Sequence, residues 1–310
     1  MVSVPCERWP YIVHVVCQVC GSEDLRPFYS VYQPGFSWLM MRCGACGHAQ
    51  VGRTQFPPEQ KQETSDYFRD VSDEDWAELD KYWGTWRAPA FRNILRNLAS
   101  LGFGGGRLLD VGCGFGHLLD LARGEGYQVF GVDPSPTVRR LAAHKFGLQT
   151  AAHLGEIRPA HAPFDVIVCA ETLFYLPDVR SPLQEMRELL RPGGCLVLKM
   201  RCNRTGLFRL AAWWSKRRGR FLDLQPGGHL FGCSLRAYHL FTTRGIHRLL
   251  RSTGSRILRT ANEKHATPVT LSAWGVATGA RIAASALVSA VSLGRIKIGP
   301  EITVYATPAE

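Results

Sequence analysis

A glycine loop set between an apolar run and a helical pattern constrains this chain more than any other feature. In Leu108-Leu109-Asp110-Val111-Gly112-Cys113-Gly114-Phe115-Gly116, the run has the length of a buried strand. The glycines allow a tight turn and leave bare backbone for a ligand. A dinucleotide fingerprint would need a third glycine where His117 stands. The loop is instead G-x-G-x-G preceded by an acid.

The same rhythm repeats downstream. Apolar runs at 108–111, 129–132, 166–169 and 195–199 read as buried parallel strands, with helical patterns at about 117–124, 136–146 and 181–191. Alternating βα units imply a parallel sheet with right-handed crossovers and helices on both faces. After residue 240 the pattern resumes with a helix at 243–252 and strands at 255–260 and 301–306. The stretches 201–240 and 262–299 read as insertions within one α/β domain spanning 101–310. Upstream, 57–100 reads as a helical linker or lid. One helix starts near Ser72 with Asp75 as a capping box and Trp76, Leu79, Trp83 and Trp86 at helical spacing; a second, after Pro89, carries Phe91, Ile94, Leu95 and Leu98.

Asp133, in Gly131-Val132-Asp133-Pro134, ends the second strand. A lone strand-end Asp more often caps a helix. Following a glycine loop by some 20 residues, it is read as accepting hydrogen bonds from both hydroxyls of a ribose.

At these residues the chain resembles the class I S-adenosylmethionine-dependent methyltransferases. Asp110 to Gly116 resembles their first motif, Phe164-Asp165-Val166-Ile167-Val168 their fourth-strand motif, and Leu190-Arg191-Pro192-Gly193-Gly194-Cys195-Leu196 the turn into the fifth strand. The resemblance implies a doubly wound, mostly parallel seven-stranded α/β sheet and S-adenosyl-L-methionine as cofactor. It implies that Gly112, Gly114 and Gly116 contact the methionine part, with Asp110 in the same motif. Ala152 and His153 would flank the adenine, although many relatives carry an acid where His153 stands. Glu171, directly after the fourth strand, is counted with the cofactor residues and can equally bond backbone.

The spacing Cys17-x-x-Cys20, 22 residues, Cys43-x-x-Cys46 is a four-thiolate zinc pattern, each knuckle followed by a glycine (Gly21, Gly47). Four filled positions point to a closed structural Zn2+ site in a ribbon over 1–56. His48, beside the last knuckle, is read as lying outside the ligand set. A ribbon ahead of such a core resembles bacterial methyltransferases of sugar and surface-glycan pathways, and also ribosomal RNA methyltransferases with an N-terminal zinc module. Tyr238-His239-Leu240-Phe241-Thr242-Thr243 and Leu249-Leu250-Arg251-Ser252-Thr253-Gly254 resemble a passage of the first group, which is favoured.

Methyl transfer to a hydroxyl or carbon acid needs a base. His239 is the first candidate and His229 the second, both titratable near neutrality. Tyr175 stands where the family often has His and is expected to line the acceptor pocket or cover the cofactor. The net charge of +11 is unevenly placed: residues 63–80 carry eight Asp/Glu, and 201–220 carry seven Lys/Arg and no acid. Basic residues there interleave with Phe208, Trp213 and Trp214, which suits a sugar-nucleotide phosphate, anionic headgroups beside a lipid-linked glycan, or RNA. The expected partner is a small-molecule, glycan or lipid-linked acceptor, with nucleic acid second and a peripheral membrane contact open. A cofactor-binding assembly protein without catalysis is the third reading. The scattered cysteines and the lack of a signal-like N-terminus lead to a cytoplasmic expectation. The stretch 273–294, mostly Ala, Ser, Val and Gly and containing Arg281, is too weakly apolar for a spanning helix.

Overall fold

The structure, a computed structural model, describes residues 11–33, 36–54, 77, 80, 81, 83–157, 161–201, 223, 224, 237–263 and 301–309. The N-terminal part is a small sheet of β1 (Tyr11–Ile12), β2 (Leu25–Gln33), β3 (Phe36–Cys43) and β4 (Ala49–Thr54). β2, β3 and β4 form an antiparallel meander. β1 lies along the other side of β4.

A five-residue π-helical turn, Trp83–Arg87, runs into α1 (Ala88–Ser100). Pro89 is tolerated in the first turn of α1, where its missing N–H has no intrahelical partner to lose. Phe91, Ile94, Leu95 and Leu98 form the buried stripe, as their spacing predicts. Most of the helix expected from Ser72, with Trp76 and Leu79, lies outside the described residues, and its end at 83–87 is π-helical.

The alternation then unfolds as β5 (Gly106–Val111), α2 (His117–Gly124), β6 (Tyr127–Val132), α3 (Pro136–Phe146), β7 (Thr150–Ala151), β8 (Phe164–Ala170), α4 (Arg180–Leu189) and β9 (Leu190–Arg201). Ser135 caps α3 by accepting from Val138 N, and Gly147 closes it at φ 62°. The helix expected at 181–191 stops at Leu189, because Leu190 is already extended and pairs with Phe164 of β8. Further on come β10 (Asp223–Leu224), β11 (His239–Leu240), α5 (Thr243–Ser252), β12 (Ser255–Glu263) and β13 (Glu301–Pro308).

Seven of these strands make one sheet in the order β12-β13-β9-β8-β5-β6-β7. All are parallel except β13, which runs antiparallel to both neighbours. β5 has β6 on one side and β8 on the other, so chain connections diverge at its C-terminal end. That divergence opens the crevice in which such sheets bind ligands. Side chains alternate between two cores: Leu108, Val166, Val168 and Val197 face α1 and α2, while Leu109, Ile167, Leu196 and Leu198 face α4 and α5.

The second core does not stop at the sheet. It continues through Leu240 and Phe241 into Val51, Met40, Trp38 and Val19 of the N-terminal part. β11 pairs antiparallel with β4 (His239 with Gln50), and β10 pairs parallel with β2. The described pieces of 201–240 therefore add strands to the cysteine-bearing sheet. No helix among the described residues is long and apolar enough to cross a membrane.

Candidate cofactor and acceptor site

The glycine loop follows β5 directly. Gly112, Gly114 and Gly116 have φ of 78°, 51° and 82°, left-handed values that other residues adopt only with strain. At Gly112 a methyl group would also strike Thr172 Oγ1, 2.0 Å away, so no larger residue fits beneath the loop. At Gly114 no described residue lies within 4 Å of that position, leaving the loop backbone uncovered by them on that side.

Asp133 sits immediately beyond β6. Its Oδ2 accepts from Gly114 N at 2.9 Å and its Oδ1 from Ser135 N at 3.0 Å. One carboxylate thus ties the strand-end turn to the glycine loop. Asp110 is buried near the end of β5, and its Oδ1 has no hydrogen-bond partner among the described residues. Burial, with the charge of Asp133 nearby, pushes its pKa up to about 8. A cationic or donor group placed there would offset that cost. An open backbone, an orphaned buried carboxylate oxygen and a strand-end acid are what an amino acid-nucleoside conjugate needs, so these residues fit S-adenosylmethionine. Ala152 and His153 follow β7; His153 is exposed, and Ala152 N donates to Glu156 Oε2 at 3.0 Å. Glu156 supplies an acid at this edge that the sequence reading placed at neither position.

The raised pKa of Asp110 has a testable sign. A folded-state value above the unfolded one means that the native protein binds the extra proton, so stability falls as pH rises from 3.8 to about 8. Asp110→Asn is expected to raise the melting temperature of the ligand-free protein at the upper end of that range and flatten its pH dependence, while weakening S-adenosylhomocysteine binding. Thermal unfolding across the window checks this, and an unchanged pH profile would refute it.

Sequence reasoning missed a group of four buried charges beside this loop. Glu171 follows β8 at φ 61°, a strained backbone for a non-glycine residue, and its N–H donates to Lys199 O at 2.8 Å. Lys199 Nζ contacts Glu301 Oε2 directly and stands 3.5 Å from Glu171 Oε1. Arg87, at the end of the π-helical turn, lies 3.9 Å from Glu171 and 3.8 Å from Glu301. The four side chains are each less than a tenth exposed. Glu171 therefore faces Lys199 and Arg87, and its carboxylate belongs to this quartet. Removing one member strands a buried charge. Lys199→Met is expected to lower unfolding free energy by about 3–5 kcal/mol, and Lys199→Met/Glu301→Gln by less, measured by urea denaturation. Equal losses in the two variants would refute mutual compensation.

Comparisons with known proteins agree with this geometry. Residues 76–260, more than half of the chain, match the family model described as a methyltransferase domain. The chain belongs to this methyltransferase family. A curated relative, the ubiquinone biosynthesis O-methyltransferase of Xylella fastidiosa (strain 9a5c), is 34% identical over 108 residues. That match covers 33% of this chain and 44% of the relative, less than half of its length. Two solved structures share the fold with TM-scores of 0.52. One is the magnesium protoporphyrin IX methyltransferase from Synechocystis PCC 6803 with bound SAH, 17% identical, covering 80% of this chain and all of that one. The other is the Burkholderia thailandensis 1,6-didemethyltoxoflavin-N1-methyltransferase with bound 1,6-didemethyltoxoflavin and S-adenosylhomocysteine, 18% identical, covering 92% and 100%.

Within this methyltransferase-family chain, Tyr175 ends a 3-10 turn, Leu173–Tyr175, beyond β8. It is partly exposed at the ligand-binding edge and packs on Phe174, ring centroids 4.4 Å apart. His229 lies outside the described residues. His239 is placed elsewhere than expected. It is 1% exposed, its Nδ1 is 3.1 Å from His48 Nε2, and its Nε2 is 3.0 Å from Pro177 O. Burial pushes its pKa down to about 3. A ring enclosed with both nitrogens engaged has no lone pair facing an acceptor, so the base reading is corrected to a positioning one. His239 fastens the 173–178 loop to the N-terminal sheet.

Other bonds reinforce that seam. Tyr238 N donates to Phe174 O and Val51 N to Tyr238 O, both at 2.8 Å. Arg180, at the start of α4, donates through Nε and Nη2 to Gln18 O and Val19 O at 2.8 and 3.1 Å. His48 is fully buried at the seam.

The four knuckle cysteines converge. Their sulfurs all lie within 4.8 Å of one another, with Cys17–Cys46 and Cys20–Cys43 at 3.6 Å. Tetrahedral bonding at about 2.3 Å per Zn–S bond places sulfurs about 3.8 Å apart. Gly21 and Gly47 take φ of 73° and 75° and donate back to Cys17 O and Cys43 O, giving two like knuckles. Burial pushes the Cys20 thiol up, and the neighbouring Cys17 thiol together with burial pushes Cys46 up. The donor set fits one closed structural Zn2+.

Proposed function

We propose that this chain binds S-adenosylmethionine and methylates an oxygen or carbon of a glycan, glycolipid or related small metabolite. The observation that carries the cofactor is the glycine loop open at Gly114 and tied to Asp133 at the end of β6. When bound, S-adenosylmethionine supplies a methyl carbon on a sulfonium for in-line attack. The residues of the chain would then hold, align and exclude water, and alignment alone can contribute about 7–11 kcal/mol. Asp133 would take the ribose hydroxyls and Asp110 the charged methionine end. Tyr175, exposed beyond β8, would line the acceptor pocket, and Glu171, held by Lys199 and Arg87, would support the cofactor side of the crevice. Zn2+ would be held by Cys17, Cys20, Cys43 and Cys46, fixing the knuckle on which Arg180 rests.

The glycan reading draws on the four-cysteine sheet and the passage around Tyr238 to Gly254, and the relative named for O-methylation supports oxygen as the receiving atom. Incubation with methyl-labelled S-adenosylmethionine and separate lipid-linked glycan, nucleotide-sugar and RNA fractions tests it. Label in a glycan fraction is the expected result. The +11 net charge favours RNA as the second reading, and label confined to RNA would replace the first with it.

A further inference from the structure

Helix α5 carries an unmatched line of positive charge. Arg244, His247, Arg248 and Arg251 follow i, i+3, i+4, i+7 spacing, which places them on one face along about 10.5 Å of helix axis. The opposite face, Gly245, Ile246, Leu249 and Leu250, is buried in the core. Arg244, Arg248 and Arg251 are exposed, and among the described residues no carboxylate pairs with them. His247 is held by Thr260 Oγ1 at 2.8 Å. Together with Thr243 and Ser252 these four line a shallow open depression of about 650 Å³ that contains no acid among the described residues.

The placement runs against helix preference. The first turn has no acidic residue and instead carries Arg244, adding its charge to the positive end of the helix dipole. The resulting field is suited to anions. Its length suits repeated anions better than a single phosphate. Among the described residues no base-stacking aromatic lines the depression, which disfavours single-stranded nucleic acid. Its outer residues carry no apolar side chain to insert, so the contact is with headgroups and not with acyl chains. Position adds a reason. β12 runs parallel to β9, and α5 precedes β12 through a tight turn, so α5 begins at the C-terminal edge of the sheet, where the cofactor loop lies.

We propose that the Arg244, Arg248 and Arg251 face of α5 docks the protein on an anionic lipid bilayer, holding the ligand-binding edge close to the membrane plane. This rests on the surface of α5 and independently suits the lipid-linked acceptor reading. Each arginine near an anionic surface contributes enough that removing three lowers partitioning by roughly a hundredfold or more.

The test is co-sedimentation of the full chain with vesicles of phosphatidylcholine alone, and of phosphatidylcholine doped with phosphatidylglycerol. The wild type is expected on the doped vesicles only, and to be released by high salt. Arg244→Gln/Arg248→Gln/Arg251→Gln is expected to lose roughly a hundredfold in partitioning, while its S-adenosylhomocysteine affinity stays at the wild-type value. Absence of wild-type binding overturns the proposal. Equal binding of the variant does so as well, since it places the contact elsewhere. Variant-sensitive binding to an RNA oligonucleotide without vesicle binding overturns it in favour of RNA. Calorimetry with S-adenosylhomocysteine is read separately, so a failed cofactor reading is not confused with a failed docking surface.

Discussion

Replacing Asp133 with alanine is expected to weaken S-adenosylhomocysteine binding by at least about a hundredfold. A carboxylate that accepts two hydroxyls makes charge-assisted bonds of about 1.5–3 kcal/mol each, and about 1.4 kcal/mol is a factor of ten. The same side chain holds Gly114 N and Ser135 N, so alanine also loosens the loop. Asp133→Asn separates the two effects, since its single carbonyl oxygen keeps one acceptor in place. Its affinity is expected to fall between wild type and alanine. Isothermal titration with all three proteins, beside their melting curves, makes the measurement. Wild-type affinity in a folded Asp133→Ala protein would remove the cofactor from this crevice.

The second large effect is expected at Cys43. Structural four-thiolate zinc sites bind with about 10–16 kcal/mol at neutral pH, and that energy is folding energy for the elements around them. Here those elements share a core with the seven-stranded sheet, through Trp38, Met40 and Val51 on one side and Leu240 and Phe241 on the other. Cys43→Ser is expected to empty the site and to lower thermal stability of the whole chain. Where the variant is insoluble, chelation of the wild type gives the same comparison. Metal analysis and melting curves report the result. Undiminished zinc in the variant, or an unchanged melting temperature after metal removal, would refute the structural site. Because Arg180 and His239 fasten the 173–178 loop to this sheet, chelation is also expected to increase hydrogen exchange in that loop.

What the sequence made legible was written locally. The glycine loop, Asp133 and the strand rhythm are short-range patterns, and α2, α3 and α5 match their expected bounds. The cysteine knuckles were equally readable, because each half of the site is four residues long. The misreading of His239 has a different origin. Its partner His48 is 191 residues away, and no local pattern tells an enclosed imidazole from a catalytic one. Lys199 was read as the polar end of an apolar strand, and Glu301 as the start of another. Only the insertion of β13 beside β9 brings them together. Arg87 was hidden for the same reason, being placed by a π-helical turn where an α-helix was expected.

The pairing of β11 with β4 has a consequence for synthesis. Ribosomes complete β4 long before residues 239 and 240 exist, and at about 5–20 residues per second the delay is on the order of ten seconds or more. During that interval one stretch of the β4 backbone is an open edge, the kind of surface that recruits other chains. The cysteine-bearing sheet is thus sealed only after β5 to β9 have been made. Metal capture by the cysteine knuckles, which needs only residues up to 46, would hold it in shape meanwhile.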